Sequence, residues 1–230
     1  MELIGKFVKL RAKTREDLAL YVRWLNDPFL LALLQSGVPQ PITLEWLTTR
    51  FERQLTSDWS DAPTELGYVV SELRDNRGVG CIGLQHIDWK NRCGSQLFFL
   101  IDHRALRNHG LAYGFYAAEA IVLFLNFAFG ELNLHRIEAE TLAYNRNVLR
   151  AIEKMGFRCE GTKRECIYRA GRYVDSYCYG LLQSEFYQSH YVKWMLNRLG
   201  LEPDTHKIDL NQSQKEEVPC ISPGSSSSAL

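Results

Sequence analysis

Residues 102–114 read DHRALRNHGLAYG. Arg104, Arg107, His103, His109, Gly110 and Gly114 crowd into this stretch. The apolar run LFFLI precedes it, and FYAAEAIVLFLNFAF follows. That pattern predicts a buried strand handing over to a buried helix. A plain connection needs only a turn and a cap. A helix N-terminus, however, presents unpaired N–H groups and a partial positive charge, so it can hold phosphate. Gly110 and Ala112 keep side chains small where a ligand must come close. Arg107 adds a fixed charge with fork geometry. Arg107 to Ala112 therefore suits a pyrophosphate cradle. An ordinary helix start after a tight turn is the competing reading.

Common phosphate-binding alternatives fail on spacing. No G-K-[ST] follows, so the stretch is not a P-loop. It is not G-x-G-x-x-G, and the strands before it form a meander rather than a dinucleotide-binding unit. The six cysteines, Cys81, Cys93, Cys159, Cys166, Cys178 and Cys220, include no C-x-x-C pair and no zinc spacing. No metal is expected. Nothing signals secretion, so reduced thiols and a cytoplasmic location are expected.

The 27 basic and 27 acidic residues cancel. That balance argues against a nucleic-acid or membrane-surface binder, which needs a basic stripe. The longest apolar stretch, 115–129, is interrupted by Glu119 and Asn126 and is short for a membrane span. A chain of 230 residues, 46% hydrophobic, can bury a sizeable core.

The elements that must position the cradle follow from periodicity. Residues 7–11 alternate as a first strand. Thr14 offers a cap, with Asp17 as partial capping-box partner, for a helix ending at Asn26-Asp27-Pro28. A second helix is predicted over 43–55. Strands over 66–72, 78–88 and 95–102 have short polar connections and form an antiparallel meander. A helix over 111–129 leads to a strand over 136–141, which should pair in parallel with its predecessor. A helix over 147–155 ends at Gly156. A hairpin pairs 159–168 with 173–181, and one aromatic helix spans 184–199. Residues 202–230 are polar, end in PGSSSSAL and read as disordered. The domains read as 1–185, a C-terminal aromatic helix at 186–201, and the tail. The fold class is α/β (α+β), a mixed sheet with helices on both faces.

Arg107, Gly110 and Ala112 stand at the defining places of [QR]-x-x-G-x-[GA], so the segment resembles the GNAT superfamily of N-acetyltransferases. Residues 136–141, Asn145, 153–157, Glu160-Gly161, 171–175 and 179–182 resemble its ribosomal-protein N-terminal acetyltransferase-like (RimJ/RimL-type) subfamily. So do residues 5–11. The resemblance covers about 3–186, in the order of the predicted elements. It implies a mainly antiparallel sheet with a central parallel strand pair splayed for acyl-CoA. It implies acyl transfer, most simply of acetyl, from acyl-CoA to an amine of a small molecule, amino sugar, peptide or protein. Backbone groups around Phe99, Leu100 and Ile101 would run along the pantetheine arm. Arg107, Asn108, His109, Gly110, Leu111 and Ala112 would hold the pyrophosphate, and Asn145 the coenzyme arm. A homodimer is compatible with this subfamily.

The catalytic groups do not carry over. Many relatives have a tyrosine acid where this chain has Ile152, and a serine where it has Val148. An acidic position early in the strand before the cradle aligns with Gln96, which cannot act as a base. His86, on the neighbouring strand and expected on the face of Leu84 and Asp88, is the substitute base. Its competing reading is a hydrogen-bonded sheet histidine. Tyr144 is a possible acid or a packing residue. Glu119 and Glu140 match acids seen in relatives and can equally be structural. Two other function classes stay open: a catalytically weak or inactive acyl-CoA-binding module acting through protein partners, and an interaction protein using the aromatic C-terminal helix and tail.

Overall fold

The computed structural model describes residues 1–33, 40–55, 62–102, 104 and 112–201. In chain order the elements are β1 (Leu3–Ile4), β2 (Val8–Arg11), α1 (Leu18–Leu25), α2 (Pro28–Leu33), α3 (Leu44–Leu55), β3 (Leu66–Glu72), β4 (Gly78–Asp88) and β5 (Cys93–Ile101). There follow α4 (Ala112–Gly130), β6 (Arg136–Leu142), α5 (Arg146–Lys154), β7 (Arg158–Arg169), β8 (Arg172–Leu182), α6 (Gln183–Gln188) and α7 (His190–Leu199).

One eight-stranded sheet holds them, in the order β1-β2-β3-β4-β5-β6-β8-β7. Every neighbour is antiparallel except β5 and β6, which α4 connects as a parallel pair. The turns carry the chemistry that the short connections predict. Asn76 and Arg92 adopt positive φ, and Ala170-Gly171 has φ of 48° and 82° at the hairpin tip. Gly156 closes α5 at φ 101°, a conformation that a β-carbon disfavours.

Hydrophobic burial is unequal on the two faces. The larger core lies under α4, α5, α6 and α7, against Val70, Ile82, Leu84, Ile137 and Ala139. Val122, Phe124, Leu125 and Phe129 are fully buried, so α4 is apolar all round, as an interior helix must be. On the other face a smaller cluster joins Trp24 and Leu30 to Cys81 and Leu100.

Three details differ from the sequence reading. Pro28 begins a helix rather than only ending one. The Asp27 carboxylate caps α2, accepting from the Phe29 N–H at 2.9 Å, and proline suits the first helical turn. The start of α1 is organised by Asp17, not by a Thr14 cap. Asp17 accepts from the Thr14 N–H at 2.8 Å and from Arg11 at 2.7 Å. The expected single helix over 184–199 is two, α6 and α7, broken at Ser189. Phe186 and Tyr187 on α6 lie in the main core, continuous with residues before 185.

Candidate active site

The parallel pair is joined only at its start. Cys93 faces Arg136 and Gly94 faces Ile137, and no further β5–β6 pairing is present among the described residues. The Arg92 carbonyl accepts from the N–H groups of His135 (2.7 Å) and Arg136 (3.2 Å), closing this end. A β-carbon at Gly94 would stand 2.2 Å from Leu84 Cδ2, so glycine is needed where the strands meet. Beyond that point β5 and β6 diverge. Gln96, Leu97, Phe98 and Phe99 are only half-buried although they lie mid-sheet.

Hydrogen-bond phase shows which backbone groups face the opening. The Asp102 N–H donates to the Val79 carbonyl at 2.7 Å. With the β4–β5 register, this turns the backbone of Gln96, Phe98 and Leu100 toward β4. Leu97, Phe99 and Ile101 therefore aim their N–H and C=O groups at β6. On the far wall, the Gln183 N–H donates to His135 O and the Ala143 N–H to Asp175 O, both at 3.0 Å. Odd residues of β6 thus serve β8, and Glu138, Glu140 and Leu142 face the opening. Phe99 and Ile101 thus present their backbone groups to the opening. Leu100 differs: its backbone meets β4, and its side chain packs with Trp24, Leu30 and Cys81. Residue numbers alone could not assign that phase.

At the end of β6, Asn145 begins α5. Its side chain makes no capping bond. The Tyr144 hydroxyl donates to the Ala32 carbonyl of α2 at 2.5 Å, with the residue 40% exposed. Ile152, at the position of the relatives' tyrosine, is buried in the main core. Val148 lies exposed.

His86 sits where β4 is irregular. Its φ is 53°, and the Gln85–Gln96 and Ile87–Gly94 pairs flank a missing bridge. The alternation therefore breaks. Ile87, not His86, takes the buried place in the core that holds Leu84, and His86 is exposed. Its expected position on the face of Leu84 is corrected accordingly. Gln96 is half-buried on β5, with its backbone toward β4.

Arg107, Asn108, His109, Gly110 and Leu111 lie outside the described residues, and so does His103. Ala112 opens α4. The approach to this stretch is well anchored. The buried Asp102 carboxylate accepts from Arg23 (2.9 Å), from the Trp24 indole N–H (3.0 Å) and from the Arg104 N–H (2.9 Å). Arg104 in turn pairs with Asp27 at 2.5 Å. None of these bonds to Asp102 is legible in the sequence. Its partners on α1 lie 78 and 79 positions away, with no local signal.

The two remaining acids differ. Glu119 is buried and accepts from the N–H groups of Phe7 (2.8 Å) and Val8 (3.0 Å), which is a structural use. Glu140 pairs with Lys163 at 2.8 Å beside the opening. Behind Leu100, burial pushes the Cys81 thiol up to about 12, and burial also raises the Tyr21 hydroxyl well above its ordinary range. Neither exchanges protons at neutral pH. Among the described residues no His, Cys, Asp and Glu group suits a metal, and no helix is long and apolar enough to cross a membrane.

Residues 8–158 match the acetyltransferase (GNAT) domain family. The chain belongs to that family. It is 30% identical over 188 residues to the SPbeta prophage-derived uncharacterized N-acetyltransferase YokL of Bacillus subtilis, covering 81% of this chain and 96% of that protein. It is 37% identical over 137 residues to the probable N-acetyltransferase YjcK of the same organism, covering 60% and 70% of the two. Its fold is similar to the spermidine N-acetyltransferase from Vibrio cholerae in complex with CoA and spermine. The TM-score is 0.66 at 23% identity, with 79% of this chain and 98% of that one covered. This GNAT enzyme is thus an N-acetyltransferase that uses acetyl-CoA as co-substrate and an amine as acceptor. The mixed sheet with one splayed parallel pair is the expected fold.

Proposed function

We propose that the opening between β5 and β6 binds acetyl-CoA and that a primary amine attacks the thioester directly within it. The observation that carries this reading is the pair of facing walls: backbone groups of Leu97, Phe99 and Ile101 oppose those of Glu138, Glu140 and Leu142 across strands that no longer pair. An extended pantetheine arm carries amides that can satisfy such groups, as a third strand would. The Asn145 side chain, free of any capping duty, contacts that arm. Arg107 to Ala112 hold the pyrophosphate at the start of α4. We assign the chain to the RimJ/RimL-type subfamily on its motifs.

In the reaction the amine must lose a proton before its lone pair can attack. Its nitrogen then bonds to the thioester carbon, and the carbonyl oxygen takes negative charge. The N–H of Phe99 faces that oxygen and stabilises the charge. The C–S bond breaks, the nitrogen gives up its second proton to solvent as the amide forms, and the thiolate takes a proton from solvent. Gln96 cannot take the amine's proton. The Tyr144 proton is engaged by Ala32 O. His86, exposed at the closed end, passes the proton from bound water to solvent. Alignment of the two reactants supplies much of the acceleration.

The test is a thermal-shift titration with CoA, acetyl-CoA and longer acyl-CoAs, beside Arg107→Glu. A ligand bound only by the folded chain raises Tm by mass action. A shift lost in the variant supports the cradle, and the thioester with the largest shift names the donor. A panel of amines that includes spermidine, amino sugars and peptides then identifies the acceptor. Absence of any shift refutes the assignment.

A further inference from the structure

The two arms of the opening are also connected outside the sheet. On the β5 side, Asp102 binds Arg23 and Trp24 of α1, and Arg104 binds Asp27, the cap of α2. On the β6–β8 side, the Tyr144 hydroxyl donates to Ala32 O at 2.5 Å, and Arg169 of β7 donates to Leu31 O at 2.8 Å. Leu31 and Ala32 lie in the last turn of α2, where carbonyls lack intrahelical partners. The α1–α2 junction is therefore tied to one arm, and the last turn of α2 to the other.

We propose that α1–α2 is a strap that fixes the width of the opening, and that Arg104, Tyr144 and Arg169 are positioning residues for coenzyme A. The inference rests on the reading that the coenzyme lies between β5 and β6. A ligand arm bonded to both walls needs donor–acceptor distances of about 2.7–3.2 Å on each side. Widening by even an ångström forfeits one set. The strap holds that distance before the ligand arrives, which lowers the cost of ordering the site. Tyr144 acts here through α2 rather than on the reacting atoms.

The test is calorimetric titration of the full chain with CoA. The variants are Arg104→Gln, Tyr144→Phe, Arg169→Gln, the Tyr144→Phe/Arg169→Gln double, the triple that adds Arg104→Gln, and Arg104→Lys. Each single variant should raise Kd about three- to tenfold, the scale of one partly exposed polar tie. Lysine at 104 should recover most of the loss. The triple should exceed the double by less than about twofold, because a strap cut at both α2 ties is already slack. Unchanged Kd in the singles, with or without a fall in Tm, overturns the proposal. So does a triple in which the Arg104→Gln effect multiplies in full. An acid role for Tyr144 also leaves CoA affinity intact, so that result counts against the strap. If the wild-type chain fails to bind CoA, the reading of the opening as the coenzyme site fails first and this inference falls with it.

Discussion

The N–H of Asp102 donates to the carbonyl of Val79 at 2.7 Å, and this one bond sets the phase of the β4–β5 ladder from Gln96 to Asp102, up to the irregularity at His86. It follows that adjacent residues of β5 have opposite duties. Leu100 spends its backbone on β4, while Phe99 keeps its backbone for the opening.

Proline scanning separates those duties. Proline lacks the N–H and is tolerated in a strand only where that group has no ladder partner. Phe99→Pro should fold, with Tm lowered by several degrees, and should lose both CoA affinity and turnover by at least about tenfold. Leu100→Pro should not fold, since it breaks a ladder bond beside the Trp24–Cys81 cluster. Circular dichroism and CoA titration check both. A folded Leu100→Pro with intact β-structure contradicts the assigned phase.

The buried Glu119 yields a second prediction. Its carboxylate satisfies the N–H groups of Phe7 and Val8, joining α4 to the start of β2. Glu119→Ala leaves two donors without an acceptor and should cost about 3 kcal/mol. Glu119→Gln keeps a carbonyl oxygen and should cost about 1 kcal/mol. Urea melts measure both. At a temperature where each variant is folded, kcat should stay within twofold of wild type. A folded Glu119→Gln with a hundredfold loss of kcat assigns this acid to chemistry instead.

These cases show what was readable in advance. Alternation in 66–72 and 78–88, the short polar turns, and the uniformly apolar 115–129 are local patterns, and they produced the meander and the interior helix. The parallel pair followed from a helix-length connection. What escaped depends on partners far away in sequence or on hydrogen-bond phase. Pro28 read as a terminator because the Asp27 cap is visible only once α2 forms. Ser189 sits within apolar spacing that continues through 184–199. Its hydroxyl donates to Lys154 O at 2.8 Å and accepts from the Val192 N–H, bonds that break the helix. The side-chain period revealed which residues of β5 share a face. It did not reveal which carbonyls face β6, nor that His86 interrupts the period.

Asp17 makes part of the stability pH-dependent. Burial alone would raise its carboxyl, but Arg11 and the Thr14 N–H more than offset this and hold it below the usual carboxylate range. A carboxyl lowered on folding stabilises the protein above its unfolded value of about 4. That contribution is lost as pH falls through the lower folded value. Asp17→Asn should therefore be less stable at pH 7 by about 2 kcal/mol, with Arg11 left without its charge partner. The gap to wild type should shrink as pH drops below about 4. Thermal melts from pH 7 to 3 test this. A gap that is constant across that range rules out a lowered Asp17.

The role of His86 can be isolated without disturbing its backbone. A φ of 53° is left-handed, a conformation that asparagine tolerates better than most residues. His86→Asn thus removes the imidazole while keeping the local fold, and Tm should stay within a degree or two. If His86 carries the amine's proton outward, His86→Asn should lower kcat/KM about tenfold or more at pH 7.5. Once the amine panel supplies an acceptor, kcat/KM of the two forms decides. An unchanged value in His86→Asn transfers proton removal to water alone, and the exposed histidine is then only the residue at which β4 turns.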